Sequence, residues 1–273
     1  ILAIQNRKGI GDMVIFLPFV EAISNKFNSP ITLLVKESSK ANEYLNKNNK
    51  INKIINLKRN NKKNDYHDGT LGFFRLVKEL KKYSFDKVFI FNSSIRYYLV
   101  CKIAGIKEIY QYPLLKKNKQ HIINTAKNLL HNKLNLKVES NPEIFIDNNL
   151  IDEAKKKFDI KNNQINILLG IGGSGSTKRI PAEKFIKFIK LCLDHYDCKF
   201  FLATGKKEEE QKILEEIMSV YKNKCVRLDN LSISENLPII KNCKISICND
   251  SSFSHLSASL GLPTIVLMCD TPL

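Results

Sequence analysis

Short apolar runs alternate with amphipathic stretches along the whole chain. ILAIQ (1–5), ITLLV (31–35), INKIINL (51–57), DKVFIFN (86–92) and IKEIYQY (106–112) are strand-sized, and helices are predicted between them near 12–27, 38–48, 70–83, 94–104 and 121–136. An extended, proline-containing stretch at 137–150 interrupts this rhythm. The alternation then restarts with QINILLG (164–170), CKFFLAT (198–204), KCVRL (224–228), KISICN (244–249) and PTIVLM (263–268), with helices predicted over 181–195, 207–222, 234–241 and 253–260. Strands alternating with helices predict parallel sheets covered by helices, so the fold class is α/β with two Rossmann-like domains, 1–145 and 146–273. The chain stops at CDTPL, directly after a strand, and the second domain is expected to be truncated there.

Composition narrows the class. With 43% hydrophobic and 26% charged residues the 273-residue chain is globular, and its longest apolar runs are strand-sized, far short of a membrane span. No segment reads as an export signal, and a cytoplasmic location is expected. Seven cysteines without a C-x-x-C pair sit mostly in apolar runs and read as small buried hydrophobes, which predicts no metal site. The formal charge of +17 suggests a nucleic-acid or other anionic partner, but Lys, Asn and Ile rise together, as A/T-rich codons would produce. No nucleic-acid module is recognisable, and binding to nucleic acid is not expected. Lysine-rich loops at 58–63 and 116–119 leave room for peripheral contact with an anionic inner membrane, or are simply solvated.

Three stretches carry candidate chemistry. The first, NRKGIGDMVIFLPFV (6–20), places Asp12 between a strand and a helix, where it is either a helix cap or a reacting carboxylate. The second, INILLGIGGSGSTKRIPAEKF (165–185), is a strand, a Gly/Ser-rich turn and a helix start. Its small residues (Ser174, Ser176, Thr177) and Lys178 suit a phosphate-bearing ligand. Its G-x-G-x-x-G pattern lacks the helix start and strand-end acid of a dinucleotide site. The third, CNDSSFSHLSASLGLPTIVL (248–267), puts Asp250, Ser251, Ser252 and His255 at a strand end and the following helix. Asp250 as a cap and His255 as a satisfied helix residue is the plain alternative. Glu208, in the acidic first turn after LATG, is a surface acid or a ribose ligand.

The order of these stretches resembles glycosyltransferase family 9, the heptosyltransferases of the lipopolysaccharide core. Gly11-Asp12-Met13 with Leu17-Pro18, Lys178-Arg179-Ile180-Pro181, Gly205 to Glu208, and Asn249-Asp250-Ser251-Ser252 through His255-Leu256, Ala258, Gly261 and Pro263 match the family's motifs. Ser252 stands where the family has glycine, and Ile180 where it has tryptophan. The resemblance implies a GT-B fold, two Rossmann-like domains facing across a cleft. It implies an inverting transferase, independent of metal and cofactor, that moves a heptose from a nucleotide-diphosphate donor, ADP-heptose foremost, to an anionic lipid-linked or core saccharide. Asp12 would be the general base. Ser174, Ser176, Thr177, Lys178, Glu208, Asp250, Ser251, Ser252 and His255 would bind the donor, and Arg7, Lys8 and His121 the acceptor. Another nucleotide sugar, or a non-catalytic nucleotide- or glycan-binding member, is the alternative.

Overall fold

The computed structural model describes residues 1–59, 65–114, 121–139 and 141–268. Most of the two lysine-rich loops, Cys269 and the chain end therefore lie outside the described residues. The chain divides into two compact units, Ile1–Pro142 and Glu143–Leu273.

The first unit contains β1 (Leu2–Gln5), α1 (Ile10–Phe27), β2 (Ile31–Lys36), α2 (Ala41–Tyr44), β3 (Ile51–Leu57), α3 (Gly69–Lys81), β4 (Lys87–Ile90), α4 (Ile95–Ile103), β5 (Glu108–Gln111) and α5 (Ile122–Leu134). The strands form one parallel sheet in the order β3-β2-β1-β4-β5. Side-chain alternation along β4 shows how it is covered. Val88 and Ile90 join Leu76, Val77 and Leu80 of α3 and Tyr97, Val100 and Cys101 of α4 in one core. Phe89 and Phe91 point the other way, to Phe27 and to Phe16 and Phe19 of α1. The helix expected over 38–48 is instead a 3₁₀ turn at Glu37–Ser39 and the single turn α2. Lys40, between them at φ 50°, takes a left-handed conformation that a continuous helix cannot contain.

The second unit contains α6 (Asn148–Lys157), β6 (Ile165–Gly170), α7 (Ala182–Leu193), β7 (Cys198–Ala203), α8 (Glu208–Tyr221), β8 (Cys225–Arg227), α9 (Ile233–Lys241), β9 (Ile245–Asn249), α10 (Ser252–Ser259) and β10 (Thr264–Leu267). Its parallel sheet runs β10-β9-β6-β7-β8. Counted from the first strand of each unit, both sheets have the order 3-2-1-4-5, so the same topology occurs twice without a repeat visible in the sequence. Helix α6 was not anticipated. Asp147 caps it by accepting from Asn149 N–H at 3.0 Å, and Asn242 fastens it to the end of α9 by donating to Ile151 O at 2.9 Å.

In such a sheet the first and fourth strands are neighbours whose connections leave in opposite directions, which opens a crevice at their carboxyl ends. These are β1 and β4 in the first unit and β6 and β9 in the second. The three candidate stretches all follow one of these four strands.

Candidate active site

Beyond β6 the chain must turn tightly against its neighbours. A Cβ on Gly170 would lie 2.6 Å from Cys248 Sγ on β9, and one on Gly173 would lie 2.9 Å from Lys178 O. Glycine is therefore a packing requirement at both positions. The loop then exposes Ser174, Ser176 and Thr177, turns through a 3₁₀ segment at Ser176–Lys178, and enters α7 after Pro181. Arg179 closes the loop on itself by donating from Nη1 to Gly173 O at 3.1 Å.

Lys178 ends in an ion pair with Asp250, which follows β9. Their side chains retain 27% and 18% exposure, so the pair is reachable from solvent yet sheltered enough for its charges to be felt. The neighbouring Asn249 is fully buried and donates from Nδ2 to Ile171 O at 2.8 Å, tying the two loops together. Ser251 is the N-cap of α10 but makes no capping bond, and Ser252 is the first helical residue. His255 is half-buried one turn further along α10. The oxygens Ser251 Oγ, Asn249 Oδ1 and Thr204 Oγ1 are buried without a hydrogen-bond partner. Eight further side-chain atoms among the described residues are likewise buried without a hydrogen-bond partner, so these three do not by themselves set the crevice apart.

The acidic turn of α8 divides between the surface and the loop. Glu208 points outward at 81% exposure and pairs with Lys212 at 2.8 Å. The acid that reaches the glycine loop is Glu210, which is buried and accepts from Gly173 N–H through Oε1 at 2.8 Å. A Cβ on Gly172 or Gly205 would come within 2.6 or 2.5 Å of its carboxylate. The glycines thus make room for Glu210 as much as for any ligand. Helical phase carried this signal: Glu210 precedes the buried Leu214 and Ile217 by four and seven residues.

At the corresponding crevice of the first unit, Asp12 is not the cap of α1. Gly9 holds that position at φ 104°, and Asp12 is the third helical residue. Its Oδ1 accepts from Arg7 Nε at 2.7 Å. Buried Gln5, at the end of β1, braces the turn by accepting from Arg7 N–H at 2.8 Å and donating to Asp12 O at 3.1 Å. The other carboxylate oxygen, Oδ2, lies over Gly9, where a Cβ would stand 3.7 Å from it. Lys36, at the end of β2, is buried with its ammonium pKa pushed down by burial and by the charges of Lys8 and Arg59. Arg59, beyond β3, pairs with Asp68 at 3.1 Å. Lys36 and Arg59 thus add to Arg7 and Lys8 in a cationic edge that the sequence reading missed. His121 does not join it by any recorded contact. It is exposed and caps α5, accepting from Ile123 N–H at 3.4 Å.

Among the described residues no three His, Cys, Asp or Glu side chains are grouped as metal ligands would be. Burial pushes the thiols of Cys101, Cys225 and Cys248 up to about 12, so none is a ready nucleophile. No helix among the described residues is long and apolar enough to cross a membrane.

Comparisons with known proteins bear on the fold and the family. Residues 73–272 match the model for Glycosyltransferase family 9 (heptosyltransferase). Lipooligosaccharide heptosyltransferase 2 of Campylobacter jejuni is 28% identical over 205 residues, covering 72% of this chain and 60% of the relative. Lipopolysaccharide heptosyltransferase 1 of Campylobacter coli is 28% identical over 130 residues, 46% of this chain and 38% of the relative. The chain therefore matches less than two thirds of the length of either. Among solved structures, a glycosyl transferase family 9 protein from Veillonella parvula superposes with a TM-score of 0.80 at 17% identity, covering 99% of this chain and 81% of that one. The ADP-heptose heptosyltransferase II of E. coli gives 0.75 at 15% identity, over 97% and 83%. The fold is that of these GT-B enzymes, and the chain belongs to glycosyltransferase family 9, the heptosyltransferase family.

Proposed function

We propose that the chain catalyses transfer of a heptose from ADP-heptose to an anionic saccharide of the lipopolysaccharide core, with inversion at the anomeric carbon and without a metal. In this reading residues 146–273 bind the donor and residues 1–145 the acceptor. The observation that carries it is the crevice after β6 and β9. There Lys178 is held by Asp250 beside an exposed glycine/serine loop. Two E. coli neighbours in fold add support, a heptosyltransferase solved with ADP and one solved with ADP-2-deoxy-2-fluoro heptose.

As the bond from the anomeric carbon to the diphosphate breaks, its electron pair passes to a phosphate oxygen. Lys178 and the N–H groups of the 172–177 loop and of the start of α10 stabilise that charge. The acceptor hydroxyl attacks the opposite face of the sugar and gives its proton to Asp12. Arg7 fixes the orientation of that carboxylate from one oxygen and leaves Oδ2 over Gly9 to receive the proton. Arg7, Lys8, Lys36 and Arg59 supply positive charge for phosphate or carboxylate groups of the acceptor.

Calorimetric titration with ADP, followed by assay of ADP release from ADP-heptose with a core acceptor, tests the reading. Binding and release support it, and failure to bind ADP refutes it. Ser252, which departs from the glycine of the family motif it resembles, favours one second reading, a member that binds donor without turnover. Donor binding with no ADP release would select it.

A further inference from the structure

We propose that the outer face of α3 and α4 is a docking surface for an anionic lipid bilayer. This builds on the transferase reading, in which the acceptor is lipid-linked. Both helices cover the same face of the first sheet, pressing Leu76, Val77, Leu80, Tyr97, Val100 and Cys101 into the core. Their outward sides should then be polar throughout. They are polar only in part. Leu71 and Phe74 on α3 are 73% and 58% exposed, and Ile95, Leu99 and Ile103, a continuous i, i+4, i+8 stripe along α4, are 51%, 40% and 47% exposed. Single exposed apolar residues need no explanation, but five on two adjacent helices do.

Charge identifies the occupant. The exposed positions among and beside these residues carry Arg75, Lys78, Lys81 and Lys102. The only acid on either helix, Glu79, is turned to His67 Nε2 at 2.9 Å. Arg75 lies 4.8 Å over the ring of exposed Tyr66, and Lys102 lies 5.9 Å over that of Tyr98. Apolar and aromatic side chains interspersed with unopposed cations suit insertion between acyl chains under a layer of anionic headgroups. A second copy of the chain would set these same cations against themselves, and a nucleic acid would have no use for the aliphatic stripe.

Co-sedimentation of the full chain with vesicles of phosphatidylcholine, alone or mixed with phosphatidylglycerol, tests this. Partition onto the anionic vesicles should exceed that onto neutral ones by about tenfold or more and weaken with salt. Leu71→Ser/Phe74→Ser should reduce it about tenfold or more, and Arg75→Gln/Lys78→Gln by about 25-fold, taking about fivefold per charge. All four side chains are exposed, so the variants keep the wild-type fold. Equal partition onto both vesicle types, or variants that bind as wild type, would overturn the proposal. So would a concentration-dependent dimer that Leu71→Ser/Phe74→Ser abolishes. Donor binding measured on the same preparation separates the two readings. ADP binding without vesicle binding sinks this surface alone, whereas vesicle binding without ADP binding leaves the surface standing and removes the transferase.

Discussion

Of the three glutamates opening α8, Glu210 should be the one whose loss is felt. Replacing it with alanine strips Gly173 N–H of its only recorded acceptor, 2.8 Å away, in a place closed to water. An orphaned buried donor costs about 1–3 kcal/mol, and the vacated volume between Gly172 and Gly205 adds to that. A total of about 3 kcal/mol lowers the melting temperature by about 6–12 °C, at about 2–4 °C per kcal/mol for a chain of this size. The freed loop should also weaken ADP binding, although Glu210 itself need not touch the nucleotide. Glu210→Gln keeps the accepting oxygen and most of the shape and should lose about 1 kcal/mol. Glu208→Ala, which removes only an exposed pair with Lys212, should leave the melt unchanged. Differential scanning calorimetry on the three variants, with ADP titrations beside it, decides the matter. Equal melting temperatures for Glu210→Ala and Glu208→Ala would refute the reasoning, because it rests on the difference in their burial.

Other consequences are as direct. Lys178→Ala should raise the Kd for ADP by about 5- to 150-fold, since a charge-assisted contact is lost and the Asp250 carboxylate is left facing the diphosphate; calorimetry giving an unchanged Kd would remove Lys178 from the site. Asp12→Asn should preserve folding and ADP affinity while cutting turnover by about 100- to 10,000-fold, and an asparagine variant with near wild-type turnover would rule out Asp12 as the base. Ser252→Gly should keep or tighten donor affinity, and a large loss would show that the serine side chain itself binds. His67 gives a pH signature: burial pushes its imidazole pKa below the usual 6.5, although Glu79 pulls the other way, and its Nδ1 accepts from Lys58 N–H at 3.1 Å. The unfolded chain therefore takes up the proton first, so this stabilisation is complete above about pH 6.5 and is lost as pH falls through 6.5 toward the lower folded value. The stability advantage of wild type over His67→Gln should shrink between about pH 8 and about pH 5.5; a constant difference in urea unfolding would count against it.

The strands were legible because each is a compact apolar run, and the long helices because their apolar spacing is regular. What failed was local. Nothing in Glu37–Tyr44 announces that Lys40 turns left-handed, and the polar run before Ile151 hid the start of α6. At the site, the residue types could be read in the sequence but not all of their partners. Asp12 was visible beside its glycines, yet its place as third residue of α1 depends on where Gly9 ends the loop. Glu208 and Glu210 differ only in helical phase. The pairing of Lys178 with Asp250 spans 72 residues and follows only once β6 and β9 are known to be neighbours.

If the crevice binds a nucleotide as proposed, that adjacency bears on how the protein acquires its binding ability. β6 pairs with β7, close by in sequence, but with β9 only after three helices and two strands have intervened. Contacts so far apart close a longer loop, at an extra entropic cost of about 1 kcal/mol over the β6–β7 pairing, and non-local pairings are slow to form. Half of the crevice can thus be in place while the Asn249 bridge to Ile171 and the Lys178–Asp250 pair are still missing. Nucleotide affinity should therefore appear in one late kinetic step of refolding, after most helical signal has returned. A bound nucleotide, by joining the two loops, should act chiefly by slowing unfolding.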